Sequence, residues 1–236
     1  MAKLREAMKK NGKKYGSFRM TGTARQPGEP LTINELVITD KPKAVARRTY
    51  VPSLGGEPQM EFRLVDGWMY YKGDAESSEG LGDTPWIKGS KRAPELLDGA
   101  FDGAAKDSAP DTSAVDGLRK IGKEVIEGVR TTHYRGTTPV DRMSAALRDS
   151  AKNRDKRLQN AATMSEFKKW GIKRFTVDIW VDDARLQTKR YRMRSNTPKG
   201  LVERTLTFQA LPKGFVLKPP PADQVVDESD LVWEDE

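Results

Sequence analysis

Apolar and polar residues alternate along most of this chain with the period of two that marks half-buried strands. Phe18, Met20 and Gly22 alternate with Arg19, Thr21 and Thr23, and LTINELVIT (31–39) alternates again. AVARRTYV (44–51) is a third candidate strand. MEFRLVDGWMYYK (60–72) predicts a hairpin, because Asp66-Gly67 suits a two-residue turn with positive φ at both positions. Met60, Phe62 and Leu64 share one face of its first strand, and PWIKG (85–89) predicts the next strand. GKEVIEGVRTTHYRGTTPV (122–140) splits into two strand halves around Gly128. In KRFTVDIWV (173–181), Phe175, Val177, Ile179 and Val181 form one face; Arg174, Thr176, Asp178 and Trp180 form the other. Asp182-Asp183-Ala184 predicts a short connection to RLQTKRYRMRS (185–195). LVERTLTFQAL (201–211) closes the set with Val202, Leu206 and Phe208 together.

Helical spacing is sparser. Leu4 and Met8 sit at i, i+4 within 3–14, and Pro94 suits the first turn of a helix over 93–101. Asp141 can cap a helix whose inner side is Met143, Ala146 and Leu147. Residues 152–170 are polar but helical in period, with Leu158, Ala161, Ala162 and Trp170 as contacts and Gly171 as terminator. The pattern predicts an α+β fold. About ten mostly antiparallel strands form one large, bent sheet, with helices on its concave side or mouth.

Composition adds a tension. Leu, Ile, Val and Phe make up 46 of 236 residues, just under the roughly 20% below which chains tend to disorder. The core expected is small for the chain's length, with long polar segments at 73–84 and 99–117 outside it or an interior that is not fully packed. The net charge of +8 divides unevenly. Residues 222–236 hold seven carboxylates and no Lys or Arg, so 42 basic residues face 27 acidic ones elsewhere, a +15 body. The basic body fits a solvated surface or an anionic envelope polymer. No RNA-binding strand, GxxG clamp or zinc-finger spacing accompanies it, so no nucleic-acid partner is expected. Val225, Val226, Leu231, Val232 and Trp233 leave two readings for the acidic end: a solvated tail after the extended Pro219–Pro221, or a segment docked on the body.

Candidate chemistry is thin. No run of about 18 apolar residues marks a membrane-spanning helix. The chain has no Cys and one His, which excludes disulfides, thiolate nucleophiles and multi-His metal sites. His133 lies inside a strand without a GxSxG elbow to serve, so it reads as a satisfied strand histidine. Asp182 and Asp183 read as turn residues rather than cation ligands. Arg190, Arg192 and Arg194 share a strand face that could grip phosphate, although a solvated face that resists edge-to-edge aggregation is the simpler reading. No catalytic residue, metal ligand or cofactor is assigned.

Several segments together carry a resemblance. GKEVIEGVRTTHYRGTTPVDRM (122–143) is similar to the TTHYRGTVD stretch of actinobacterial envelope lipoproteins, of the kind found in Streptomyces. RFTVDIWVDDARLQTKRYRMR (174–194) resembles their VDVWVDDDGLPRR hairpin. VDGWMYYKG (65–73) with PWIK (85–88) resembles a third segment, and PPPADQVVDES (219–229) their PPA–V–D ending. These proteins belong to the LppX/LprG and LolA-like group. The resemblance implies a half-open β-barrel enclosing an apolar cavity, secretion, and a lipid anchor on an N-terminal Cys. Neither a signal peptide nor that Cys occurs in this sequence, and the expectation is an anchor lost with a trimmed N-terminus.

The expected organisation is a half-barrel domain over 1–221 and an acidic tail over 222–236. The expected function is a non-enzymatic extracytoplasmic lipoprotein, anchored on the outer face of the cell membrane, that binds an acyl or lipid envelope component. The alternative is a regulatory adaptor that contacts an envelope-stress sensor protein. The expected partners are therefore a lipid or acyl ligand, an envelope sensor protein and the membrane, and the protein is expected to be a monomer. Candidates for the apolar set, cavity-lining and core together, are Phe18, Met20, Phe62, Leu64, Trp68, Tyr70, Phe175, Val177, Ile179, Leu206 and Phe208.

Overall fold

The computed structural model describes residues 4, 6–8, 16–55, 58–72, 86–91, 112, 114–143 and 154–231. Twelve strands form one sheet: β1 (Phe18–Arg25), β2 (Thr32–Asp40), β3 (Lys43–Tyr50), β4 (Pro58–Val65), β5 (Trp68–Lys72), β6 (Trp86–Lys91), β7 (Asp116–Ile126), β8 (Val129–Pro139), β9 (Arg174–Asp182), β10 (Thr188–Thr197), β11 (Gly200–Ala210) and β12 (Val225–Asp227). Their order is β12-β6-β5-β4-β3-β2-β1-β11-β10-β9-β8-β7, so among the described residues β12 and β7 are the edges and the sheet is open. The pairs β2–β3, β3–β4, β4–β5, β5–β6, β7–β8, β8–β9, β9–β10 and β10–β11 are antiparallel; β12 joins β6 in parallel. This is the α+β, open-sheet class that the alternation predicts, with twelve strands rather than about ten.

The Asp66-Gly67 hairpin forms for the reason anticipated, and the break expected around Gly128 is a turn of the same kind. Asp66 and Gly67 take positive φ of 52° and 81°, and Glu127 and Gly128 take 48° and 77°. That double left-handed turn matches the natural twist of the flanking strands. The β9–β10 connection is longer than the predicted Asp-Asp-Ala. The Asp182 carboxylate accepts from the amides of Ala184 and Arg185 at 2.8 and 3.1 Å, and the Asp182 amide donates to the Gln187 carbonyl at 2.8 Å. The turn therefore consumes residues 183–187, and β10 begins at Thr188 instead of 185.

Helix α1 (Arg154–Lys169) fills the predicted 152–170 segment. It ends where Gly171 and Ile172 donate their amides to the carbonyls of Lys168 and Phe167, each at 2.9 Å. Its buried face is not the one expected. Met164 and Phe167 are buried, whereas Leu158 is 59% exposed and Ala161 and Ala162 are exposed. Leu158 lies nine residues before Phe167, about half a turn out of phase at 100° per residue, so the two cannot share a face. Trp170 packs with the buried pair, as expected. Residues 140–143 are helical, so the helix expected after an Asp141 cap starts at Val140 and holds Asp141 within its first turn. The helix expected over 93–101, most of 3–14, and Ala146 and Leu147 lie outside the described residues.

The chain divides into two compact units. The first comprises Met1–Lys14, Thr23–Leu31 and Ala109–Thr207; the second comprises Tyr15–Gly22, Thr32–Ser108 and Phe208–Glu236. In the first unit the helix residues Leu4 and Met8 pack with Val115, Leu118, Val177, Ile179 and Val181. A neighbouring cluster joins Phe175 and Val202 to Met164, Phe167 and Ile172. In the second unit Ala44, Val65, Tyr70 and Trp86 form a cluster with Trp68, Leu217 and Val225 against it. The acidic end is thus docked over 225–227, where Val225 pairs with Trp86 and Asp227 with Lys88. The Lys88 ammonium lies 3.3 Å from the Asp227 carboxylate.

Candidate functional site

Strand register builds the candidate ligand face in the second unit. Ile38 pairs with Val45, Val45 with Leu64, and Leu64 with Met69. One layer along, Leu36 pairs with Arg47, Arg47 with Phe62, Phe62 with Tyr71, and Tyr71 with Ile87. Directly paired residues project to the same side, so these two layers form one apolar face. A third layer is more polar: Asn34 pairs with Thr49, whose hydroxyl lies 3.0 Å from the Asn34 amide oxygen, and Thr49 pairs with Met60. Arg47 is exposed and stands in the middle layer. The face therefore grades from apolar to polar along the strands. Phe18 and Phe208 meet in the same unit with ring centroids 6.3 Å apart, and both are buried. Met20 is half-buried, two residues along β1 from Phe18 and hence on its side of the strand.

Trp68 and Tyr70 lie on the opposite face. The two-residue turn places Val65 against Trp68 and Arg63 against Tyr70, so both aromatics side with Val65 rather than with Leu64. They belong to the Ala44–Trp86 cluster, where cations cover the rings: the Lys88 ammonium lies 4.0 Å from the Trp68 centroid and the Arg63 guanidinium 4.5 Å from that of Trp86. The turn length carries this phase and is a sequence signal that could have separated the two sets. Leu36, Ile38, Val45 and Ile87 were missed. The alternation read over 31–39 fails at Leu36-Val37-Ile38, an apolar run with all three side chains buried, so it did not single out Leu36 and Ile38.

In the first unit, Phe175, Val177 and Ile179 have no exposed surface. Phe175 meets the Phe167 ring edge-on at 5.0 Å; Val177 and Ile179 pack on Met8, Val115 and Leu118. Leu206 is 5% exposed and pairs with Tyr191, which packs on the same cluster. The structure thus divides the eleven candidates. Phe18, Met20 and Phe208, with Phe62 and Leu64, belong to apolar strand faces of the second unit. Phe175, Val177, Ile179 and Leu206 belong to the first unit, and Trp68 and Tyr70 lie across the sheet from Leu64.

The other face of β9 carries the strongest electrostatic feature. The Asp178 carboxylate, fully buried, accepts from His133 Nε2 at 2.8 Å, Arg135 Nε at 2.6 Å and Arg192 Nη2 at 3.0 Å, with Arg194 Nε at 4.0 Å. Burial alone would raise its pKa, but the hydrogen bonds from Arg135, His133 and Arg192 outweigh it and hold the carboxyl below the usual value. His133 Nδ1 lies 2.9 Å from Glu124 Oε1, while Glu124 Oε2 accepts from the Trp180 indole at 2.9 Å. The imidazole stacks on Trp180 at 4.4 Å. His133 is a satisfied strand histidine, as expected. The Arg190–Arg194 face differs from the solvated one expected, because Arg192 and Arg194 fold over a buried anion. Side chains from β7, β8, β9 and β10 meet there, so the cluster ties four strands together. Asp182 and Asp183 serve the turn and strand ladder: Asp183 lies 3.2 Å from the Lys123 ammonium. Among the described residues no group of three or more His, Asp or Glu side chains is placed to hold a metal, and no helix is long and apolar enough to cross a membrane.

No family model matches the sequence. A Streptomyces griseus protein, described as an uncharacterized 31.2 kDa protein in the rplA–rplJ intergenic region, is 28% identical over 188 residues. The match covers 75% of this chain but only 59% of that curated relative, less than two thirds of its length. Among solved structures, the Mycobacterium tuberculosis lipoprotein LppX aligns with a TM-score of 0.51 at 16% identity, over 92% of this chain and 99% of that one. LprF from Mycobacterium bovis aligns with a TM-score of 0.52 at 13% identity, over 93% and 98%. At such identities the likeness is one of fold. The chain therefore has the LolA-like, open-barrel fold shared by the lipoprotein LppX and by LprF.

Proposed function

We propose that this protein is a non-enzymatic, extracytoplasmic lipoprotein that holds an acyl-bearing envelope component against the apolar face of β2–β6. The observation that carries the reading is the layering of that face: Ile38, Val45, Leu64 and Met69, then Leu36, Phe62, Tyr71 and Ile87, then Asn34 and Thr49. An acyl chain lies along the apolar layers while its polar head lies toward Asn34, Thr49 and the exposed Arg47. Burying about ten methylenes gains roughly 8 kcal/mol before ordering costs. The fold shared with the lipoprotein LppX over nearly whole chains supports the same reading.

Native mass spectrometry of the full chain, incubated with an actinobacterial lipid extract, tests it. The expected result is one acyl lipid retained by the wild type and lost from Phe62→Glu, whose half-buried position tolerates the charge. Folded wild-type protein that retains no lipid overturns the reading. Specific recovery of an envelope sensor protein from membranes in that case favours the adaptor role instead.

A further inference from the structure

The face of β2–β4 opposite the apolar one carries a guanidinium cluster that lipid binding leaves unused. Glu35 pairs with Arg48, Arg48 with Glu61, and Ala46 with both Val37 and Arg63. Arg19 joins from β1, its Nε 3.2 Å from Glu35. The segment after β11 crosses this face. Leu217 packs on the Trp86 cluster, and the Lys218 carbonyl accepts from Arg63 Nη1 at 3.3 Å. Beneath Phe215 and Leu217, above Val37 and Ala46, remains a cavity of about 100 Å³ into which Arg19, Arg48, Arg63 and Glu35 converge. Small-molecule sites begin near roughly 300 Å³, so this one admits a single compact group and no acyl chain.

The charges do not balance. Glu61 Oε1 is fully engaged, accepting from Arg48 Nε at 2.7 Å and from Arg63 Nε and Nη2 at 3.2 and 3.0 Å. Glu35 is shared at longer range, with Arg48 Nη1 at 3.7 Å. Its contact with Arg19 is an ion pair without hydrogen-bond alignment, and the buried Arg19 Nε–H meets no acceptor among the described residues. Among the described residues three guanidiniums thus face two carboxylates, with one positive charge uncompensated and one buried donor unmet. A buried donor without an acceptor is costly, and an arriving oxygen anion relieves that cost. Guanidinium forks match phosphate oxygens two at a time.

We propose that this cavity binds one phosphate group through Arg19 and Arg48, as free phosphate or as the head of an anionic lipid. The site lies across the sheet from Phe62, so it is independent of acyl binding and can fail without affecting it.

Nitrogen-15 NMR of the full chain titrated with inorganic phosphate is the test. Saturable shifts at the Arg19 and Arg48 Nε–H signals and at the Phe215 and Leu217 amides are expected. Arg19→Gln should weaken binding by about tenfold or more, the loss of one charge-assisted hydrogen bond. Arg19→Lys, which keeps the charge but not the fork, should fall between the two. Should either variant fold poorly, the wild-type shift map decides alone. Displacement of phosphate by phosphatidylglycerol vesicles, and not by phosphatidylcholine vesicles, assigns the lipid head as the source; no displacement assigns free phosphate. No saturable shift, shifts centred on other basic segments such as 168–174, or equal binding by Arg19→Gln overturns the proposal.

Discussion

Removal of the Asp178 carboxylate tests the electrostatic cluster most directly. In Asp178→Ala, His133, Arg135 and Arg192 lose their shared acceptor, at 2.8, 2.6 and 3.0 Å. Hydrogen bonds to charged groups contribute about 1.5–3 kcal/mol each, which sets a ceiling of about 5–9 kcal/mol. The side chains of Arg135, Arg192 and Arg194 remain 35%, 27% and 40% exposed, so they recover water when the anion goes. The loss should then match that of other broken buried pairs, about 3–5 kcal/mol. For a chain of this size that lowers Tm by about 6–20 °C. Urea denaturation at neutral pH measures it. The pH dependence gives a second arm. Because the folded carboxyl titrates below its unfolded value near 4, its contribution is present above about pH 4 and fades as pH falls through the lower folded value. Wild-type stability should therefore drop in acid more steeply than that of Asp178→Asn. A loss under about 1 kcal/mol for the alanine variant, or parallel acid profiles, refutes the reasoning.

Three further outcomes follow from separate contacts. A Cβ at Gly136 would lie 2.6 Å from both the Asp116 carbonyl and Val115 Cγ1, so Gly136→Ala should cost about 1–3 kcal/mol in chemical denaturation. The Tyr71 phenol titrates above its ordinary value because burial disfavours the phenolate and Glu228 accepts its hydroxyl at 3.0 Å. Glu228→Gln should bring that midpoint down in phenolate absorbance, and an unchanged midpoint would show that the two do not meet. Truncation after Pro221 removes the parallel partner of β6, so amides across Trp86–Lys88 should exchange faster with deuterium.

Much of the strand layout was legible because tight turns and alternation are local. Asp66-Gly67 announces its hairpin, Gly128 marks the break between two strand halves, and Phe175, Val177, Ile179 and Val181 share a face as their spacing says. The candidate site was only partly legible. Leu36 and Ile38 sat in an apolar run without visible phase, and Trp68 and Tyr70 were grouped with Leu64 although the two-residue turn sets them across the sheet. The inner side of α1 was misread because its sequence is polar nearly all round, and only packing selects Met164 and Phe167 over Leu158.

The sequence by itself determined the class: an open, mostly antiparallel sheet, its hairpins, and a likeness to the LppX and LolA-like group. These depend on periods of two and on turns of two residues, which short segments carry alone. Tertiary structure decided what each face meets. Asp178 and Trp180 read as an ordinary polar strand face until β8 and β10 brought His133, Arg135 and Arg192 over them. Glu61 and Glu35 became anchors for Arg19, Arg48 and Arg63 only once β1–β4 lay side by side beneath Phe215 and Leu217. The acidic end became a strand because Val225 found Trp86 and Asp227 found Lys88, about 140 residues away in the chain. Pairings across such separations depend on register and burial, which no local pattern encodes.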